Sequence, residues 1–226
     1  MTPQRSSPMR RYDDGCAAAH ALDLVGERWA LLVVRELLLG PKRFSDLRAD
    51  LPGISPNVLS QRLKDLEEIG VIGREQLPPP AASWVYVLSE WGRELEPILQ
   101  QLGRWGARSP TRPQAPISLA TLVSAMKTMF HPAAARNLNG TVALVLGRER
   151  FQLQIAGGEL NVRRGVPEQA DVTLTADVQT LGGLLFGGLP LEEAEAQGQV
   201  IIEGSRELAK RFPSVFQMPE VVTRSQ

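Results

Sequence analysis

Cysteine is the scarcest reactive residue in this chain: Cys16 is the only one in 226 residues. A single thiol excludes an intrachain disulfide and a cysteine-based metal cluster. Histidine is nearly as scarce, and His20 and His131 are too few and too isolated for a metal or catalytic case, so both read as structural. No apolar run is long enough to span a bilayer, which argues against a membrane partner. Residues Met1 to Arg11 are polar and contain prolines, with no hydrophobic region after the arginines; they argue against a secretory signal and read as a flexible arm over 1–12. Missing too are a Ser, His and Asp set, a Walker loop and a Gly-x-Gly-x-x-Gly after a strand, and Gly187-Gly188 lacks the lysine a phosphate loop needs. These absences lead us to expect a soluble protein that is not an enzyme and carries no cofactor. The net charge is zero, with 25 basic against 25 acidic residues. Phosphate neutralisation supplies most non-specific affinity for nucleic acid, so any basic surface here must be local, and a nucleic-acid function would have to rely on a dimer to reach useful affinity.

Hydrophobic residues make up 43% of the chain and charged ones 22%, an ordinary globular balance. The length leaves room for two small domains, each able to bury a core. The stretch from Gly53 to Gly70 is the most informative, because both its ends are written as helix ends. Ser55 suits the N-cap, Pro56 fits N1 where no amide is needed, and Gly70 suits the left-handed residue past the C-terminus. Leu59, Leu63, Leu66 and Ile69 recur at three to four residues and form one apolar stripe, leaving Asn57, Ser60, Gln61 and Lys64 opposite. Such side chains can meet base edges in a major groove. A solvated surface helix explains the same face equally well when this helix is taken alone.

The flanking segments favour the groove. Asp23 to Gly40 reads as one largely buried helix ended by Gly40-Pro41, and Arg43 to Leu51 as a short helix with Ser45 as its cap. Pro52-Gly53 then makes the short connection that a helix-turn-helix needs. Val71 to Leu77 and Ser83 to Leu88 have strand composition and flank Pro78-Pro79-Pro80-Ala81-Ala82, a hairpin with a stiff tip. Helix-turn-helix followed by hairpin is a winged helix, whose wing can touch backbone or minor groove; Arg74 and Ser83 lie near it. Ser89 to Trp105 reads as a further helix with Leu95, Ile98, Leu99, Leu102 and Trp105 on one face. That stripe, with Ala17 to Leu22, either packs on a partner copy or closes onto its own chain.

From Cys16 to Trp105 the chain resembles the HxlR-type family of bacterial winged-helix transcription regulators. The likeness rests on Cys16, Leu24 to Trp29, Arg43 to Leu47, Gly53 to Pro56, Leu59 to Leu66, Gly70 to Ile72, Tyr86 to Ser89 and Gly92, in that order. It implies a cytoplasmic homodimer that sets two recognition helices on a pseudo-palindromic site in double-stranded DNA. Carried over residue by residue, Ser55, Asn57, Ser60, Gln61 and Lys64 are groove-facing, with Arg43, Ser45 and Arg62 as phosphate contacts; Pro56 at the helix start and Arg74 near the wing are further candidates for DNA contact. Arg62 sits beside the apolar stripe and suits a second role, bracing the core through a carboxylate. The resemblance also implies oxidant sensing by Cys16, its thiolate favoured by Arg10 and Arg11 and opposed by Asp13 and Asp14; a small buried apolar residue beside Ala17-Ala18-Ala19 is the other reading.

Arg108 to Pro116 holds three prolines and reads as a linker, which sets the expected divisions: a winged helix-turn-helix domain over 13–107, a linker over 108–116, and a second domain over 117–226. In the last, helices over Ser118–Phe130, Val178–Leu185, Leu191–Gln197 and Ser205–Phe212 alternate with strands over Thr141–Leu146, Phe151–Ile155, Leu160–Arg163, Asp171–Thr175 and Val200–Glu203. The fold class is therefore α+β with a mainly antiparallel sheet. Ala170 to Ala176, Gly182 to Gly188 and Gly198 to Gly204 resemble the sterol-carrier-protein type of lipid-binding domain. This implies a hydrophobic small molecule held among Leu122, Met126, Met129, Phe130, Leu181, Leu185, Phe186 and Phe216; a solid core of the same residues is the alternative. The combined expectation is a DNA-binding regulator modulated by such a molecule or by oxidation. The competing one is a carrier of a lipid-like ligand whose winged helix serves only for dimerisation or protein interaction.

Overall fold

A computed structural model of the protein describes residues 12–113 and 115–223. Nearly all of the arm expected over 1–12, including Arg10 and Arg11, lies outside the described residues, as does Gln114 of the expected linker. The chain divides into two compact units between Glu96 and Pro97.

The N-terminal unit opens with α1 (Ala17–Val25) and α2 (Ala30–Leu37). The single helix expected over Asp23 to Gly40 is thus broken. Gly26 closes α1, its amide bonded to the Leu22 carbonyl at 2.8 Å, and Trp29 then adopts left-handed backbone with φ 80° and starts α2. Apolar residues continue through the break, so their spacing does not reveal it. Next come α3 (Phe44–Asp50) and α4 (Pro56–Glu68). Ser45 is not the cap of α3. Arg43 takes that place, and its amide is satisfied by the Asp46 carboxylate at 3.1 Å, the back-reach that an acidic third residue makes possible.

Helix α4 has the limits its ends dictate. Ser55 Oγ accepts from the Val58 amide at 3.3 Å, Pro56 is the first helical residue, and Gly70 has φ 77°. Leu59, Leu63 and Leu66 are fully buried while Ile69, at the C-cap, is half-buried. Burial of each leucine contributes about 1.5–3 kcal/mol. The wing is built from β1 (Ile72–Gln76) and β2 (Trp84–Leu88), antiparallel, with Ile72 opposite Leu88, Arg74 opposite Tyr86 and Gln76 opposite Trp84. Lys42 extends it by a two-way backbone bridge to Tyr86, at 3.1 and 2.8 Å.

The expected helix over Ser89 to Trp105 is two helices, α5 (Glu90–Arg93) and α6 (Leu95–Ala107). Ser89 caps the first, accepting from the Gly92 amide at 2.9 Å. Pro97 accounts for the interruption, since it has no amide for the Arg93 carbonyl four residues back and its ring crowds that carbonyl.

The C-terminal unit continues with α7 (Leu119–Met129), capped by Ser118, and α8 (Pro132–Ala135). His131 Nδ1 accepts from the Ala134 amide at 3.2 Å, a structural role. Then come β3 (Gly140–Leu146), β4 (Glu149–Ala156), β5 (Glu159–Arg164), β6 (Val172–Ala176), α9 (Val178–Phe186), α10 (Leu191–Ala196), β7 (Val200–Gly204) and α11 (Arg206–Arg211), ending in a 3₁₀ turn over Phe212–Val215. The sheet order is β5-β4-β3-β6-β7; β3 and β6 run parallel and every other pair antiparallel. Gly157 and Gly158 join β4 to β5 with φ 60° and 81°, as a two-residue hairpin of matching twist requires. Val142, Leu144, Phe151, Leu153 and Leu174 are buried on one face of the sheet. Among the described residues no helix is long and apolar enough to cross a membrane.

Candidate nucleic-acid interface

The helix that carries the expected groove contacts is held from behind by its leucines and open in front. Ser55, Pro56, Asn57, Ser60, Gln61 and Lys64 are all exposed. Helical spacing puts Asn57, Ser60, Gln61 and Lys64 along one side, and the N-terminal end of the helix presents a partial positive charge suited to phosphate. The wing positions Arg74, whose guanidinium lies 5.0 Å from the centre of the Tyr86 ring and 3.2 Å from the Glu67 carboxylate. Arg43 and Ser45 are exposed at the start of α3, and Ser45 Oγ donates to Asp46 at 3.2 Å.

Within this unit three of the polar side chains of α4, Gln61, Arg62 and Lys64, already have partners. Gln61 donates to Asp65 at 2.7 Å and Lys64 lies 3.5 Å from Glu68. Arg62 is mostly covered, 2.9 Å from Asp65 and 3.7 Å from Glu27, which is the bracing arrangement. Exposed ion pairs of this kind contribute little to stability, so a phosphate or base edge can displace the Lys64 and Gln61 partners at small cost. Arg62 is held more firmly, by two carboxylates on separate elements.

One group in this unit is barely marked by the sequence. Glu36, on the buried side of α2, is paired with Arg35 at 2.7 Å and with Lys42 at 2.8 Å, and Lys42 Nζ also reaches Asp50 at 2.6 Å. The only hint is that a glutamate stands among Val33, Val34 and Leu37 on the apolar face. Cys16 is exposed as the N-cap of α1, not buried among the alanines. The backbone amides of Ala19 and Ala18 favour its thiolate and hold the thiol below its ordinary pKa.

The residues expected around a hydrophobic ligand fall in the C-terminal unit. Leu122, Met126, Met129, Leu181, Leu185 and Phe216 are buried, and Phe130 and Phe186 are half-buried. Phe216 is a hub, with edge-on ring contacts to Phe130 at 6.2 Å, Phe186 at 6.1 Å and Phe212 at 5.1 Å. Phe212 was not among the expected lining residues, although its place at the end of an amphipathic helix marked it as apolar core.

Comparison with known proteins meets this geometry at both ends of the chain. The HxlR-like helix-turn-helix profile matches residues 24–113. YvaP, an uncharacterized HTH-type transcriptional regulator of Bacillus subtilis strain 168, is 42% identical over 85 residues, covering 38% of this chain and 79% of that protein. The chain belongs to the HxlR-like helix-turn-helix family. YodB, another HTH-type transcriptional regulator of the same organism, is 36% identical over 85 residues, covering 38% of this chain and 76% of its own. A solved structure of reduced YodB aligns at 32% identity and a TM-score of 0.39, covering 44% of this chain and 98% of that one. Downstream of its helix-turn-helix region this HxlR-type protein carries a second domain, and residues 124–217 match the SCP-2 sterol transfer family.

Proposed function

We propose that this protein is a cytoplasmic, non-enzymatic transcription regulator that binds a pseudo-palindromic operator as a homodimer, with α4 of each copy in a major groove. The observation that carries the reading is the two-sided character of α4: three leucines fully buried on one side, and Asn57, Ser60, Gln61 and Lys64 exposed on the other, on a chain whose relatives are HTH-type transcriptional regulators. In this reading residues 13–107 bind DNA and dimerise, 108–116 link, and 117–226 hold a hydrophobic effector among the side chains around Phe216. Oxidation of Cys16 is a second input, supported by its exposure and its favoured thiolate.

The test is titration of the purified protein against DNA upstream of its own gene, across salt concentrations. A Gln61→Ala, Lys64→Ala double variant is expected to bind about tenfold more weakly or worse, with a salt slope lower by about one from the lost ammonium. Absence of sequence preference at every salt concentration would sink the operator reading and favour a carrier of hydrophobic ligands.

Dimerisation is supported by α6. Ile98, Leu102 and Trp105 recur at helical spacing and are 55%, 47% and 74% exposed, an apolar stripe left uncovered in a single copy. Leu102→Glu is expected to convert a dimer into a monomer in light scattering while the circular dichroism spectrum stays unchanged. A mass that does not move would place the interface elsewhere.

A further inference from the structure

From Glu75 to Gly92 the chain contains no Lys or Arg, so the outer wing has no cation with which to neutralise a phosphate. Its tip, Pro78 to Ala82, is exposed. Beside that tip stands Trp84, 60% exposed. A lone exposed apolar residue needs no explanation by itself; its position gives this one meaning. Side chains on a strand alternate between faces and those of directly paired residues share one, so the register puts Trp84 and Tyr86 on the same hairpin face as Gln76 and Arg74. From that face Arg74 reaches across to Glu67 on α4. Trp84 therefore lies on the recognition-helix side of the wing, two cross-strand pairs further out, about 7 Å along the strand from Tyr86.

We propose that Trp84 is a DNA contact of the wing, packing its indole on the sugar and base edges of the minor groove next to the half-site that α4 reads. The proposal rests on the operator reading above and adds to it the mode of wing binding. Apolar side chains are established minor-groove contacts. Because such a contact displaces no counterion, its contribution does not depend on salt, whereas that of Lys64 does. A chain with no net charge thereby gains affinity without adding cations.

The experiment compares wild type, Trp84→Ala, Trp84→Phe and Lys64→Ala on the same upstream DNA over a range of salt, with melting temperatures measured alongside. Trp84→Ala is expected to weaken binding about tenfold or more at every salt concentration with an unchanged salt slope, and Trp84→Phe to keep most of the affinity. Neither is expected to shift the melting temperature, since the indole is mostly in solvent. Lys64→Ala should lower the slope. Wild-type affinity in Trp84→Ala, a loss that appears only at low salt, or a loss that merely tracks a fall in melting temperature would each overturn the contact and leave the operator reading standing. No sequence-dependent binding by wild type would overturn the operator reading and this contact with it.

Discussion

Replacing Glu36 with alanine is expected to destabilise the N-terminal unit by about 3–5 kcal/mol, the usual cost of removing one member of a buried ion pair. The Glu36 side chain is 0% exposed; Oε1 accepts from Arg35 Nε at 3.2 Å and Nη2 at 2.7 Å, and Oε2 from Lys42 Nζ at 2.8 Å. Without the carboxylate, Lys42 keeps Asp50 but remains largely out of water, its side chain only 12% exposed. The consequence reaches the candidate interface, because Lys42 joins three elements: its ammonium contacts α2 and α3, and its backbone is bonded to Tyr86 of the wing. Urea unfolding followed by tryptophan fluorescence measures the effect, since Trp29, Trp84 and Trp91 all lie in this unit. A companion variant with apolar residues at both positions, Glu36→Leu with Lys42→Met, should recover much of the loss, because a well-packed apolar pair often equals a buried ionic one. A loss below about 1 kcal/mol in Glu36→Ala would show that the site is wetter than its burial implies.

Phe212→Ala should act on the other unit with similar force, about 3–5 kcal/mol. Phe212 is fully buried at the end of α11 and meets Phe216 edge-on at 5.1 Å. Removing its ring takes away a large apolar surface and leaves a void that the neighbouring backbone can only partly close. Calorimetry should show the transition of the C-terminal unit moving down, with the N-terminal one in place. Phe186→Ala gives the internal comparison, because Phe186 is half-buried and its truncation removes less buried surface. If Phe212→Ala cost no more than Phe186→Ala, the rings around Phe216 would be loosely packed in the free protein, as an open ligand site requires.

What the sequence disclosed about these units depended on whether the determinant was local. The limits of α4 were readable because Ser55, Pro56 and Gly70 each have a backbone reason to stand where they do. The turn at Gly157-Gly158 has the same kind of local reason, since both glycines hold positive φ. The interruption before Trp29 was not, since a tryptophan in left-handed backbone carries no sequence signal and only the packing around it can hold it there. The break near Pro97 did have a signal, and the apolar stripe running through it hid the proline's meaning. The ionic group around Glu36 depends on Lys42 and Asp50 arriving from other elements, and spacing along one helix cannot show that. In the candidate interface, which residues face outward followed from helical period, but their pairing with Asp65 and Glu68 needed side-chain geometry.

Helix α1 has nine residues, and none of them is fully buried. An isolated helix of that length is marginal in water, because nucleation costs more than so few turns return. Folding of α1 should therefore be tied to whatever covers it, so that its amides exchange with solvent quickly in a lone copy and slowly once a second surface docks. The favoured thiolate of Cys16 depends on the amides of that same first turn. If a second copy docks on α1, the reactivity of Cys16 toward an alkylating reagent should change with protein concentration, which makes the thiol a clock for that docking.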